Sequence, residues 1–168
     1  QEHERALEDQ REQEQEDARY ENWKQHIKAN PTDLLNLGDA EEGTVWEEGG
    51  YLYDWLSRKE EARGNCAVAN WELLSDEFGV DVATNFRDGC IAYWRLYDPR
   101  SYPNYRTASD VPYSRLIGFS GLAMEARLDP NWAQGLSEEE ATRAATYAMM
   151  EQDGLSDWLP GVQRAFPY

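Results

Sequence analysis

The segment from Gly135 to Pro167 constrains the fold more than any other, because it combines a helix start with two apolar stripes at helical spacing. Ser137 followed by Glu140 forms a capping box, in which the hydroxyl bonds the Glu140 N–H and the carboxylate bonds the Ser137 N–H. Glutamates in the first turn also match the partial positive charge of a helix N-terminus. Apolar residues then recur three and four positions apart, at Ala141, Ala144, Ala145, Ala148 and Met149. This pattern predicts a helix whose small side chains let a neighbouring helix approach closely.

A tight turn and a second helix are predicted after the first. Gly154 suits the left-handed position that ends many helices. A second apolar stripe follows it, made of Leu155, Trp158, Leu159, Val162 and Phe166. A hairpin of two such helices cannot bury both apolar faces alone, so we expect neighbouring helices to cover it.

Apolar residues recur at helical spacing in most of the remaining chain, and no segment shows the alternation typical of a strand. Helices are predicted over residues 1–29, 51–63, 65–78, 81–97 and about 111–127. Pro31 ends the first of them near Asn30, and Leu34, Leu35 and Leu37 then indicate a short packed helix or turn. The sequence therefore predicts an all-α domain of six to eight helices, arranged as antiparallel helical hairpins in a HEAT-like or irregular α-solenoid.

The first nineteen residues differ in composition from the remainder. They are almost entirely charged or polar, so they predict a solvated helix rather than a coiled coil, which needs sustained apolar a and d positions. We expect residues 1–19 to form a charged helical lead-in and residues 20–168 to form a single α-helical domain. Because the chain does not begin with Met, we also expect it to be part of a larger protein.

Aromatic residues and glycines indicate how the helices pack. The seven tryptophans lie at apolar positions along the chain, which predicts one core anchor for each helix or turn. A concave aromatic face that binds a partner is the alternative. Gly89, Gly118 and Gly121 fall inside predicted helices, where they favour close approach of a neighbour despite their low helix propensity.

Two segments are predicted loops and contain the candidate partner-binding residues. Residues 38–50 are polar and glycine-rich with one aromatic anchor, Trp46, and residues 98–112 contain three prolines. Tyr102, Tyr105 and Arg106 offer large contact areas with hydrogen-bonding tips, as residues at protein interfaces do. The alternative is that these side chains pack down on the core with their polar ends in water.

The charge of the chain excludes some classes of partner and location. Its formal net charge is −17, which argues against direct nucleic-acid binding because that binding requires a lysine- and arginine-rich surface. The acidity indicates either solubility, salt adaptation or mimicry of DNA. No apolar run is long enough to cross a membrane, and the charged N-terminus does not resemble a signal peptide, so we expect a cytoplasmic protein without membrane contact.

The sequence offers no recognisable catalytic, cofactor or metal site. Cys66 and Cys90 lack metal-ligand spacing and are expected to be small buried hydrophobes. His3 and His26, the two histidines, have no cysteine or carboxylate cluster beside them in sequence and are expected on the surface. The adjacent acids Asp76 and Glu77, like Glu41 and Glu42, are expected to be solvated. No phosphate-binding glycine loop and no nucleophile elbow occur.

Two stretches resemble known helical units. These are LDPNWAQGLSEEEATRAATYAMMEQDGLSDWLPGVQRAFP near the C-terminus and RYENWKQHIKANPTDLLNL near the N-terminus. Both are similar to parts of the long helical C-terminal regions of large predicted bacterial NACHT-like signal-transduction ATPases of defence type. The resemblance covers about half of the chain and rests on helix-packing patterns. It implies a sensing or scaffolding arm with the nucleotide site elsewhere.

Together these features favour a non-enzymatic protein-interaction or sensor domain of a larger defence or signalling NTPase, with a protein partner and no cofactor. One alternative is a free-standing acidic inhibitor such as a DNA mimic, which predicts carboxylates spaced like phosphates along one face. The other is an enzyme of unrecognised class, which requires a cleft with perturbed carboxylates.

Overall fold

The computed structural model describes residues 1–37, 48–60, 67–101, 113–150 and 157–167. Within these ranges it contains seven α-helices and no strand, which confirms the all-α prediction. The helices are α1 Glu2–Ala29, α2 Gly50–Lys59, α3 Leu74–Phe78, α4 Val80–Leu96, α5 Tyr113–Leu128, α6 Glu138–Met150 and α7 Leu159–Ala165. Short 3-10 helices occur at Pro31–Asn36, Trp71–Leu73, Pro99–Ser101 and Trp132–Gly135.

Helices α4 and α5 pack most extensively against each other and carry the centre of the core. Phe86, Trp94 and Leu122 are fully buried there. The 3-10 helix Pro31–Asn36 packs on the other side of α4 through Leu34 and Leu37, while Leu35 faces solvent. The core therefore forms around α4, with the other elements arranged about it.

Two glycines make the approach to α4 possible. A Cβ on Gly121 of α5 would overlap the Cys90 carbonyl of α4, and a Cβ on Gly89 would overlap the Leu34 carbonyl. On α5, a Cβ at Gly118 would overlap the Tyr147 ring of α6. The close packing predicted from these glycines is confirmed, because each lies against backbone or a buried ring.

The tryptophans anchor the core as predicted. Trp71, Trp94 and Trp132 are buried, and Trp23, Trp55 and Trp158 are partly buried against the core. Trp94 meets Trp132 edge to face with ring centroids 6.0 Å apart, and Trp132 meets Trp158 in the same way at 5.8 Å. These contacts join α4, the 3-10 helix Trp132–Gly135 and the start of α7. Trp46 lies outside the described residues, as does Cys66.

The helix predicted over residues 65–78 is wrong in its first half. Residues 67–70 are not helical; the Ala69 and Asn70 N–H groups donate to the Glu60 carboxylate, and the Val68 N–H donates to Ser120 Oγ at 3.1 Å. These tertiary partners satisfy the backbone groups that a helix would pair, so the chain stays open until Trp71. Gly79, at a φ of 94°, then separates α3 from α4.

The buried face of α2 does not include its first aromatic residue, Tyr51. Tyr51 is 56% exposed, whereas Leu52, Tyr53 and Leu56 are buried. Tyr51 instead covers the edge of Trp23, with ring centroids 5.7 Å apart. None of the described helices has the combination of length and apolar content that crossing a bilayer requires.

Candidate interaction groove

Helix α6 begins at the predicted capping box. The Glu140 N–H donates to Ser137 Oγ at 3.1 Å, and the Ser137 N–H donates to Glu140 Oε1 at 3.0 Å. This reciprocal pair satisfies two N–H groups that a helix start otherwise leaves without partners. It therefore fixes where α6 starts and how its faces are directed.

One face of α6 is held against the body of the protein by polar contacts. Arg95 of α4 donates to Glu125 of α5 and to Glu140 of α6, and the Trp94 Nε1–H donates to Glu125 at 2.7 Å. The Arg95 guanidinium also lies over the Trp94 ring, 5.2 Å from its centroid. We call this group the Arg95 network. It links three helices through one guanidinium.

The bonds from Ser137 and the charge of Arg95 together keep the Glu140 side chain of α6 ionised. Partial burial by itself raises the pKa of the Glu140 carboxyl, but the bonds from Ser137 and the charge of Arg95 outweigh it and lower that pKa below its ordinary value. Glu140 is therefore a carboxylate at neutral pH, and it carries a capping bond and an ion pair at once.

A second anchor lies two turns further along α6, at Tyr147. The buried Tyr147 hydroxyl donates to the Tyr97 carbonyl at 3.0 Å, and the Tyr147 ring lies against Gly118 and Phe119 of α5. Burial raises the pKa of Tyr147 well above its usual value, so the hydroxyl stays protonated as a donor. Arg143 adds a bond to the Arg95 carbonyl.

The opposite face of α6 borders an open groove. The groove has a volume of about 930 Å³ and lies between α6 and α7. Its lining is mainly aliphatic, with Ala141, Ala145, Ala148 and Met149 from α6 and Leu159, Val162, Ala165, Phe166 and Pro167 from the α7 region; Glu138, Thr142 and Gln163 complete it. Met149 is 79% exposed. This is the alanine face that the sequence predicted to receive a neighbouring helix: Ala141, Ala144 and Ala148 are buried, whereas Ala145 is partly exposed and Met149 is open to solvent.

The chemistry of this lining suits binding. Among the described residues it contains one carboxylate, Glu138, and no histidine, cysteine, lysine or arginine. The Thr142 hydroxyl already donates to the Glu138 carbonyl at 2.8 Å. A mostly apolar channel with an acidic end offers contact area and orientation to a ligand.

Helix α7 forms the second wall and is held loosely. Val162 is its one buried residue among Leu159–Ala165. A smaller hollow of about 460 Å³ lies on its other side, between Trp132, Trp158, Arg127 and Arg164. Helix α7 thus has open space on two sides, and the groove width depends on a weakly anchored element.

A separate group of side chains meets at the end of α1. His26, Asp33 and Glu48 place one potential ligand atom each within 4.8 Å of one another, and His26 Nε2 lies 3.6 Å from Glu48 Oε1. Sequence reasoning missed this group, because its members are far apart in the chain and belong to three different segments. The first and last, His26 and Glu48, are twenty-two positions apart, and only the packing of Leu34 and Leu37 on α4 brings them together.

The predicted partner-binding residues Tyr102, Tyr105, Arg106 and Trp46 lie outside the described residues, as do Glu41 and Glu42. Of the other acids singled out in the sequence, Asp76 is exposed, whereas Glu77 accepts hydrogen bonds from Tyr20 at 3.0 Å and from Lys24 at 2.9 Å. The bond from Lys24 lowers the pKa of Glu77. Cys90 is fully buried, and this burial raises the pKa of its thiol. A thiol with a raised pKa is a weak nucleophile, as is usual for a structural cysteine in a core.

Comparison of the chain with protein-family models, with curated protein sequences and with solved structures finds no match.

Proposed function

We propose that this chain is a non-enzymatic protein-interaction domain that receives an amphipathic helix in the groove between α6 and α7. The observation that carries the proposal is the open aliphatic face of α6, which runs beside Thr142, Ala145 and Met149. Small side chains on one wall allow a helix backbone to approach closely, and helix-in-groove docking uses such a surface. With 13 residues, α6 is roughly 20 Å long, enough for three to four turns of a ligand helix.

The charges at the groove select the partner. Glu138 lies in its lining, Glu139 is exposed beside it, and the whole chain carries a net charge of −17. A ligand helix with an apolar stripe and lysines or arginines at one end therefore complements the groove better than an acidic one. The ligand can belong to another protein or to a further part of the same polypeptide.

The wider setting follows from the resemblance to helical regions of NACHT-like ATPases. In that setting the domain is a cytoplasmic arm of a larger defence or signalling protein, and the groove receives either the next helix of the array or a sensed partner. The size of the native polypeptide in source cells tests this part. A band well above that of the 168-residue chain supports it, and a band at that size contradicts it.

The groove itself is tested with two synthetic helical peptides that share one leucine stripe at i, i+3, i+4 and i+7 spacing. One carries lysine flanks and the other carries glutamate flanks. We expect micromolar binding of the lysine peptide in fluorescence anisotropy and binding at least about tenfold weaker for the glutamate peptide. Equal binding of both peptides would contradict the charge argument.

A matched pair of variants locates the binding. Met149→Arg adds a charge at the groove, whereas Val80→Arg makes the same change at another exposed apolar residue, Val80 being 68% exposed on α4. We expect Met149→Arg to weaken binding of the lysine peptide at least about tenfold and Val80→Arg to leave it unchanged. Equal effects of the two variants would place the peptide outside the groove.

The acidic-inhibitor function has one observation in its favour. Glu4, Glu8, Glu12 and Glu16 form a ladder at i, i+4 spacing along the exposed part of α1. Between Glu2 and Asp17, however, eight carboxylates are offset by two arginines, over a helix length of roughly 24 Å. B-DNA of that length carries about 14 phosphate charges, so α1 reaches less than half of that density. We therefore rank DNA mimicry second.

A further inference from the structure

The group at the end of α1 has the composition of a cation site. His26 offers an imidazole nitrogen, and Asp33 and Glu48 offer carboxylate oxygens. One nitrogen and two anionic oxygens suit borderline first-row divalent ions such as Zn²⁺, since imidazole is a poor ligand for Ca²⁺ or Mg²⁺.

One of the three separations matches that between two ligands of a single ion. Zinc lies about 2.0–2.2 Å from nitrogen and oxygen ligands, so two atoms bound to one tetrahedral ion are roughly 3.3–3.6 Å apart. The His26 Nε2 to Glu48 Oε1 distance of 3.6 Å meets this value without movement. All three atoms lie within 4.8 Å of one another, and Asp33 is exposed, so its side chain has space to adjust towards an ion.

The backbone beneath each ligand is fixed by the core. Each ligand residue is followed in sequence by a buried one: Ile27, Leu34 or Gly49. The Leu34 carbonyl lies against Gly89 of α4, and the position of a Cβ on Gly49 would be 3.2 Å from Leu37. A site supported in this way is preorganised, since the ligands need no backbone rearrangement to converge.

The surroundings favour a positive ion that can enter from solvent. His26 lies in the last turn of α1, where helix carbonyl groups carry partial negative charge. The Asn30 side chain donates to the His26 carbonyl at 2.9 Å and holds that turn. The His26 side chain is 60% exposed, while that of Glu48 is 18% exposed. An ion therefore has a route from the His26 side to a carboxylate that is largely covered.

From these observations we propose that His26, Asp33 and Glu48 bind a first-row divalent cation such as Zn²⁺. Three protein ligands leave one tetrahedral position for water. The bound ion joins α1 to the 3-10 helix Pro31–Asn36 and to the start of α2, so it fastens the end of the long N-terminal helix to the core.

The chain offers a matched control for this site, because His3 is its other histidine and lies in the exposed start of α1. Zinc chloride is titrated by calorimetry into the untagged chain and into His26→Ala, His3→Ala, Asp33→Asn and Glu48→Gln. We expect one equivalent of Zn²⁺ for the wild type and for His3→Ala. His26→Ala should weaken binding at least about 100-fold, and each carboxamide variant at least about tenfold.

Thermal unfolding gives a second readout. At an excess of Zn²⁺ about 100-fold above Kd, the wild type and His3→Ala should gain about 5 °C in Tm, and His26→Ala should gain none. Equal binding by His26→Ala and the wild type would overturn the proposal, as would several equivalents bound alike by all variants, which is the behaviour of a diffuse acidic surface. Because the three ligand side chains are replaced one at a time, a folding defect in one variant leaves two others to decide the outcome.

Discussion

At the scale of single residues, the helix packing depends on positions where no side chain fits. Gly121 is the sharpest case, since its α-carbon faces the Cys90 carbonyl of α4 and the neighbouring backbone is part of a helix. A flexible side chain could move aside, but a helical carbonyl cannot move without displacing α4. Helices α4 and α5 can therefore approach this closely because Gly121 has only a hydrogen atom where alanine would have a methyl group.

Gly121→Ala should therefore lower the free energy of unfolding by about 2–3 kcal/mol, because the methyl group forces the two central helices apart. Gly135→Ala serves as the control, since a Cβ at Gly135 meets no atom within 4 Å. Urea denaturation of both variants measures the difference. A Gly121→Ala protein as stable as the Gly135→Ala protein would show that the helices are not in close contact there.

Arg115 is the second residue whose environment makes a prediction. It is 3% exposed, and within the described ranges its Nε and Nη2 have no hydrogen-bond partner. A buried charge without a partner costs free energy, and apolar residues of similar volume often replace such charges with a gain. Arg115→Met should raise the free energy of unfolding by about 1–4 kcal/mol.

The control for Arg115→Met is Arg5→Met, which makes the same change in net charge on the exposed part of α1. Equilibrium urea unfolding with an unchanged m-value distinguishes a gain in stability from a change in compactness. A loss of more than about 1 kcal/mol in Arg115→Met alone would mean that the guanidinium has a counter-charge in the folded protein.

At the scale of elements, α6 is the helix whose start the sequence specifies best, whereas the predicted helix over residues 65–78 is wrong in its first half. The capping box Ser137–Glu140 is local, and it was predictable because both partners lie within one turn. The contact of Glu140 with Arg95 was not predictable, since it joins residues on different helices whose pairing depends on the whole core. The alanine face of α6 was evident from spacing, but the spacing did not show that Ala141, Ala144 and Ala148 are buried while Met149 is exposed.

The Arg95 network makes the stability of α6 depend on pH. The pKa of Glu140 is lowered in the folded protein, so its stabilisation is present above the ordinary pKa of about 4.5 and is lost as the pH falls through the folded value. Glu140→Gln should cost about 1–2 kcal/mol at pH 7. The difference from the wild type should shrink as the pH falls below about 4.5 and disappear once the pH is below the lowered pKa of Glu140.

Stability curves from pH 3 to 8 measure this, with Glu139→Gln as the control. Glu139 is an exposed partner of Arg143, and its replacement should change stability by less than about 0.5 kcal/mol at any pH. A constant difference in the free energy of unfolding between Glu140→Gln and the wild type across the acid range would show that the negative charge of Glu140 does not contribute to stability.

Helix α7 should open far more readily than the central helices. It buries one residue, Val162, and has hollows on two sides, whereas α4 buries seven. Amide protection depends on such burial, so peptides covering Leu159–Ala165 should exchange at least about 100-fold faster than those covering α4 in hydrogen-exchange mass spectrometry. Binding of the lysine peptide should slow them. Equal protection of α4 and α7 would show that α7 opens no more readily than the central helices.

At the scale of the whole molecule, the sequence was sufficient for the fold class and insufficient for the sites. Helical periodicity is local, so the bounds of α4 and α6 follow it closely. The open segment 67–70 could not be foreseen, because Glu60 and Ser120 compete there for backbone groups from elsewhere in the chain. His26, Asp33 and Glu48 converge for the same reason: tertiary packing brings them together.

The first nineteen residues form an exposed helical extension of the molecule. They are helical and exposed along their whole length, so they extend roughly 28 Å beyond the part of α1 that packs at Trp23 and Ile27. A compact domain made of residues 20–168 has a radius of gyration of about 15 Å, so the length of this rod is about twice that radius. A domain or partner attached near Gln1 would be held away from the core by the length of this helix. A force applied at Gln1 would act on the contacts around Ile27 through a long lever arm.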